Sequence, residues 1–462
     1  MLGSFLIWYK YSLRSENKIT FSNRKFLVLI LALIVTILID TSVVKVNDLI
    51  DKNFIPLQSK LILFSINSLV CLLLQFFIIR YVQTTVSTLN VHRTFNSKAL
   101  PLISIISLCI LGILIGFLIY EQFYYEYYDT AVSISIVALS YVTSATFMTW
   151  LSLLFLSWYQ STRSLVVFIY FMAIAAIAFN LVMTAAYASA KIGDRPERVG
   201  EYIGSSGDIS GGSHALLGTI YRFSTFVSFF SIWITTVILM KSYREKLIHP
   251  ILFWIILSIP LVYFLITYSY QFFLGNLLIT YVQIDPIIVS IIISAFLSLS
   301  KPIGGLLFGI AFWNISKVVS YERNIKTYMI ISGLGMFLIF AANQAAVQIV
   351  SPYPPFGLAT VTVLNIAGYL TLLGIYNSAS LVSTNDNLRK AIRRHTLKPN
   401  LLGLIGHAEM EKEIQKTVTE IVESQEIQDI RTESQVELDE KELRRYIDVV
   451  INEVKKGETI PD

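Results

Sequence analysis

The chain has 462 residues, 55% of them hydrophobic and 15% charged, with a formal net charge of +5 and a mean hydropathy of +0.64. A soluble domain averages about 25% charged residues, so this much apolar surface has lipid rather than a water-soluble core as its sink. The small net charge gives no footing for nucleic acid. Two cysteines within apolar runs, Cys71 and Cys109, supply neither a disulfide framework nor a metal-ligand spacing and read as small buried hydrophobes.

At the N-terminus, MLGSFLIWYKYSLR is short and lacks a small-residue cleavage site. It reads as an interfacial segment within a cytoplasmic arm, 1–25, rather than a cleavable signal. Apolar segments long enough for a bilayer core follow at 26–44, 61–79, 100–120, 131–158, 165–190 and 215–240, then at 251–272, 286–316, 327–350 and 358–380. The runs are continuous rather than alternating, which argues against a barrel. The expected fold is therefore all-α: a polytopic transmembrane bundle of about ten helices over 26–382, with a small helical cytoplasmic tail over 383–462. In the eighth segment Lys301-Pro302 and Gly304-Gly305 predict a kink or a broken helix, the alternative being a crossing at about 275–300 followed by a re-entrant piece.

Charge sets the expected orientation. The loops on one side carry Lys10, Arg14, Lys18, Arg24, Lys25, Arg80, Arg93, Lys98, Arg163, Lys241, Arg244, Lys246, Lys317, Arg323, Lys326, Arg389, Lys390, Arg393, Arg394 and Lys398. The other side holds Lys45, Lys52, Lys60, Lys191, Arg195 and Arg198. Short cytoplasmic loops carry the excess of Lys and Arg, so both termini are expected in the cytoplasm of a plasma-membrane protein. On the outer face, Tyr120, Phe123, Tyr124, Tyr125, Tyr127 and Tyr128 read as an aromatic belt rather than a ligand cage.

The longest polar connection before the tail is the outer loop at 191–214, with a Gly/Ser run ending in Ser213-His214. A serine beside a histidine could suggest a nucleophile and base, but that pair needs rigid geometry, and Gly/Ser composition points to a linker. Ionisable groups inside a bilayer are the better clues. Arg222 lies about two turns into the sixth segment, within reach of Asp208, Glu201, Asp129 or Asp285, either snorkelling or paired with a carboxylate that pins the loop. Asp40 falls at the outer end of the first segment and reads as interfacial. Lys301 lines a cytoplasmic vestibule or snorkels inward. Asn67, Gln75, Asn180, Asn343, Gln344, Gln348 and Asn365 are amides suited to bonding between helices, with Asn343 and Gln344 at the densest polar spot. The candidate functional residues are thus Arg222, Asp208, His214, Lys301, Asn343 and Gln344.

Beyond Ser380 the composition turns charged. Ile414, Val418, Ile421 and Val422, and then Leu443, Tyr446, Ile447, Val450 and Val454, recur at helical spacing. Two amphipathic helices are expected, suited to self-association or a protein partner, and their polarity suggests an appendage removable without loss of the bundle. No HExxH, GxSxG, Walker A or metal-spaced Cys/His set occurs, so neither an enzyme nor a bound cofactor is expected.

The stretch SLVSTNDNLRKAIRRHTLKPNLLGLIGHAEMEKEIQKTVTEIV, with GDRPERVGEYIG and LSLSKPIGGLLFGIAFWNIS, resembles uncharacterised multi-pass membrane proteins of ammonia-oxidising archaea. The resemblance covers the chain from about Leu165 onward. It implies an archaeal plasma membrane and brings no activity, cofactor or site residue. Two roles remain open at this point: a membrane sensor, regulatory or scaffold component signalling through its tail, and a transporter or channel for a small solute or ion.

Overall fold

The computed structural model describes residues 20–49, 57–88, 95–127, 129–194, 215–241, 250–269, 300–318, 323–343, 354–385, 389 and 401–429. They form eleven helices and, among the described residues, no strand. In chain order these are α1 (Thr20–Leu49), α2 (Leu57–Thr88), α3 (Phe95–Tyr124), α4 (Thr130–Thr162), α5 (Leu165–Gly193) and α6 (Ala215–Lys241). There follow α7 (Pro250–Ser269), α8 (Ser300–Val318), α9 (Arg323–Ala342), α10 (Leu358–Thr384) and α11 (Leu401–Asp429). The first ten fall on the ten apolar segments of the sequence, and α11 falls on the first amphipathic stretch of the tail. Seven helices, α2 to α6 with α9 and α10, are long and apolar enough to cross a membrane. Shorter apolar stretches occupy α1 and α7. A helix bonds all its backbone groups within its own segment, which is what a lipid solvent requires.

The bundle is organised around α10. The apolar window of α10 is buried along its whole length, whereas those of α2 and α3 are 39% and 33% buried. A helix apolar on every face belongs inside, and a half-buried apolar helix presents its other face to lipid. Ile113 of α3, 72% exposed, and Leu69 of α2, 59% exposed, are lipid-facing in this sense. α9 and α4 pack along α10, with α1, α2, α3 and α11 completing its surround. α5 lies against α4, α6 against α5, and α7 against α8.

Local chemistry sets the ends. Asp129 caps α4, its Oδ1 accepting from the Ala131 and Val132 amides at 2.8 and 3.1 Å. Arg163 closes α4 in the left-handed region, and α5 starts at Leu165, so this connection folds α5 back along α4. At the centre the helices meet backbone to backbone. A Cβ on Gly335 of α9 would lie 2.5 Å from Thr371 Oγ1, and one on Gly374 of α10 would lie 2.7 Å from the Ser332 amide nitrogen. Only glycine permits that approach, as at close transmembrane crossings generally.

The eighth apolar segment is described only from Ser300 onward. Pro302 lies in the first turn of α8, where a missing N–H breaks no helical bond. Among the described residues the prolines inside helices are Pro101 of α3 and Pro260 of α7. Trp233 Nε1 donates to the Leu257 carbonyl, three residues before Pro260, at 2.9 Å. The crossing at about 275–300 that would precede a re-entrant piece lies outside the described residues, which resume at Ser300; α8 is the stretch that follows it.

Candidate functional site

Three polar clusters are built into the bundle. The first joins α4, α5, α6 and the C-terminal end of α9. Asn180 of α5 donates through Nδ2 to Ser224 Oγ and Thr225 Oγ1 of α6, at 3.0 and 2.9 Å. Its Oδ1 accepts from Asn343 Nδ2 at 2.9 Å, and the Asn343 carbonyl accepts from the Tyr141 hydroxyl at 3.4 Å. Asn343 Oδ1 is buried with no hydrogen-bond partner among the described residues. One helical turn from Ser224, Tyr221 stacks on Tyr187 with ring centroids 4.9 Å apart. Lys301 Nζ donates to the Tyr221 hydroxyl at 3.3 Å and lies 5.5 Å from that ring's centre.

Of the sequence candidates, Asn343 and Lys301 meet in this region. Lys301 sits beside the first turns of α6, at the end of the bundle opposite α11, rather than at a vestibule on the tail side. Arg222, one residue beyond Tyr221, is exposed on α6. Asp129, offered above as a partner for it, serves as the α4 cap. Asp208, His214, Gln344, Gln348, Glu201 and Asp285 lie outside the described residues. Each described amide from the sequence list bonds to a neighbouring helix. Asn67 reaches the Thr36 carbonyl at 3.4 Å, Gln75 the Thr362 hydroxyl at 2.8 Å and Asn365 the Ser104 carbonyl at 3.0 Å.

The second cluster was not foreseen. Asp40 of α1 is fully buried rather than interfacial. Its Oδ2 accepts from the Thr360 amide at 2.9 Å and the Thr360 hydroxyl at 2.6 Å. Gly357, the N-cap of α10, has a φ of 95° and no side chain to cap with, so a carboxylate from another helix takes that duty. A negative group there also meets the positive end of the helix dipole. Near it lies Cys71 of α2, which is set among Thr36 of α1, Gln75 of α2 and Thr362 of α10. Cys109, by contrast, is exposed rather than buried.

The third cluster holds the tail helix, which is not the free appendage its composition predicts. α11 packs against α10, α4 and α5. Leu401, Leu402, Ile405 and Ala408 are buried, and Gly406 lies flush against Val382. Glu409 Oε2 accepts from the Trp158 indole at 2.7 Å. Glu411 bonds to the Ser161 hydroxyl, with His407 at 3.8 Å, and Glu413 accepts from Ser383 at 3.4 Å. Arg389 donates to the Ser383 carbonyl at 2.7 Å. Two of the glutamates, Glu409 and Glu411, are buried at this contact. The second amphipathic stretch of the tail, 443–454, lies outside the described residues.

A groove of 510 Å³ runs between α4 and α5, from Val142 to Leu153 with Val182 opposite. Val142, Leu153 and Val182 on its rim are exposed and apolar, with the exposed Thr146 and Thr149 between them. Among the described residues no group of three or more His, Cys, Asp or Glu could hold a metal ion. No family model, no curated protein and no solved structure matches the chain.

Proposed function

We propose that the protein is a membrane sensor or regulatory component that signals through its tail, with α10 as the element linking bundle and tail. The observation that carries this reading is the pair of contacts at the two ends of α10. Asp40 caps its first turn, and α11 packs along its last. A rod buried on every side has discrete seatings rather than continuous ones, because close-packed interiors do not deform smoothly. A change of seating at the Asp40 end therefore alters the surface offered to α11. The proposed location is a plasma membrane with both termini in the cytoplasm, which puts α11 on the side where Lys and Arg accumulate. The proposed partners are the lipid bilayer and a protein, or a second copy, meeting the tail.

The test places a cysteine at Ala408, buried against the bundle, in a Cys109→Ser background, and follows its labelling by a water-soluble thiol reagent. Thr360→Val, at the far end of α10, should raise the labelling rate several-fold while the protein stays inserted. An unchanged rate in an inserted variant removes the coupling. Transport of a small solute is the second reading, favoured by Lys301 and the bonded amides inside the bundle. Solute flux in vesicles that is abolished by Lys301→Ala would replace the first reading with it.

A further inference from the structure

Asp40 is a carboxyl group fully buried in an apolar helix, and among the described residues no Lys, Arg or His pairs with it. An unpaired charge within a bilayer is costly and marks function by default. Two N–H and O–H donors, both from Thr360, already serve Oδ2. Among the described residues Oδ1 has no hydrogen-bond partner, and neither do the buried Ser68 hydroxyl and the Gln75 Oε1 of α2. A cap alone explains Oδ2 and leaves Oδ1 over.

We propose that Asp40 is a proton-binding site: at the junction of α1, α2 and α10 it carries an exchangeable proton on Oδ1 while Oδ2 keeps the α10 terminus capped. The step is an acid–base one, in which the O–H bond of the carboxylic acid breaks and the proton passes to water, then re-forms. A proton fits where a metal ion does not. Mg²⁺ or Ca²⁺ needs about six oxygens at about 2.0–2.6 Å, whereas Oδ2 here is spent on donors, and among the described residues Asp40 belongs to no group of three or more His, Cys, Asp or Glu. The groups facing Asp40 are the Gly357 amide and the Thr360 amide and hydroxyl of α10, with Cys71 of α2 close enough for their charges to interact and itself set among Thr36, Gln75 and Thr362. Cys71 is the titratable one among them. Loss of the proton leaves a full negative charge at the first turn of α10, which tightens the cap through the helix dipole. This names the stimulus of the sensor proposed above, and it rests on that reading only for the response of α11.

The test uses the full chain in lipid vesicles, with ¹³C-labelled aspartate, and the variants Asp40→Asn and Asp40→Glu. Infrared spectra between about pH 5 and about pH 9, the range spanned by buried carboxyl groups, should show a protonated-carboxyl band. It should shift on labelling, exchange slowly in D₂O, vanish in Asp40→Asn and move in Asp40→Glu. Absence of a slowly exchanging labelled band in the wild-type protein overturns the site, whether or not Asp40→Asn folds, as does a band unchanged in Asp40→Asn. The Ala408→Cys probe is read on the same samples. Labelling whose pH dependence, after correction for ionisation of the thiol itself, differs between the wild type and Asp40→Asn ties the proton to α11. A titrating Asp40 with pH-independent labelling keeps the proton site and removes the signalling reading.

Discussion

Glu409 of α11 accepts the indole N–H of Trp158 of α4 at 2.7 Å, and both side chains are buried. The bond joins a residue of the charged tail to one of the largest fully buried side chains in the bundle. Trp158→Phe keeps the ring volume in part and removes the donor, leaving a buried carboxylate short of a partner. Such a loss costs about 1–3 kcal/mol. Glu409→Gln, which keeps an acceptor, should cost less. Hydrogen exchange across residues 401–419 measures both, and the double variant should fall short of the sum because the two residues share one bond.

Truncation after Thr384 should lower the thermal stability of the bundle in detergent. It uncovers Trp158, Val382 and Ser383, and it removes the burial of Leu401, Leu402 and Ile405. Each such side chain is worth about 1.5–3 kcal/mol when fully buried. A truncated chain that unfolds at the same temperature as the full chain would mean that α11 only rests on the surface.

The glycines separate into two classes that one substitution distinguishes. Gly335→Ala sets a methyl 2.5 Å from Thr371 Oγ1 and 2.6 Å from its amide nitrogen, so α9 must move from α10. Overpacking of this kind costs about 1–3 kcal/mol. Gly112→Ala and Gly116→Ala on α3 meet nothing within 4 Å. They should be neutral or mildly stabilising, since alanine is the better helix former by about 1 kcal/mol. Denaturant titration of the three variants reads the difference.

Much of this architecture is legible in residue order, because lipid demands long apolar runs and each run announces itself. The amides were legible for a related reason: Asn180 or Asn365 within such a run has only another helix to bond. Hydropathy gives a position along a helix and not a direction around it. Asp40, near the end of an apolar run, therefore read as interfacial although it faces α10. The same blindness hid the burial of α10, whose composition resembles its neighbours. The tail misled by its mean: Glu409 and Glu411 count as charge in a composition, yet each meets a donor, Trp158 or Ser161, that lies about 250 residues away in the chain.

Asn180 holds the amide cluster together by using both ends of its side chain. Asn180→Leu should leave Asn343 Nδ2 without its acceptor and loosen the α5–α6 contact. Membrane hydrogen bonds average about 0.6 kcal/mol in double-mutant cycles and reach about 1.7. This site, with two donors and one acceptor bond, should come out near the upper figure or above it. Asn180→Asp, which keeps the acceptor but loses the donors to Ser224 and Thr225, should fall between the two. Unfolding in a graded detergent series checks the order.

The docking of α11 against the bundle is the claim on which the sensor reading depends, and proximity in native membranes tests it most directly. Cysteines at Ser161 and Glu411, whose side chains are in contact, are introduced together in a Cys71→Ser, Cys109→Ser background and treated with a short thiol-to-thiol cross-linker. Rapid formation of the intramolecular link is expected, and it should slow in the Trp158→Phe variant. No link, while each single cysteine still reacts with a monofunctional reagent, would contradict the account.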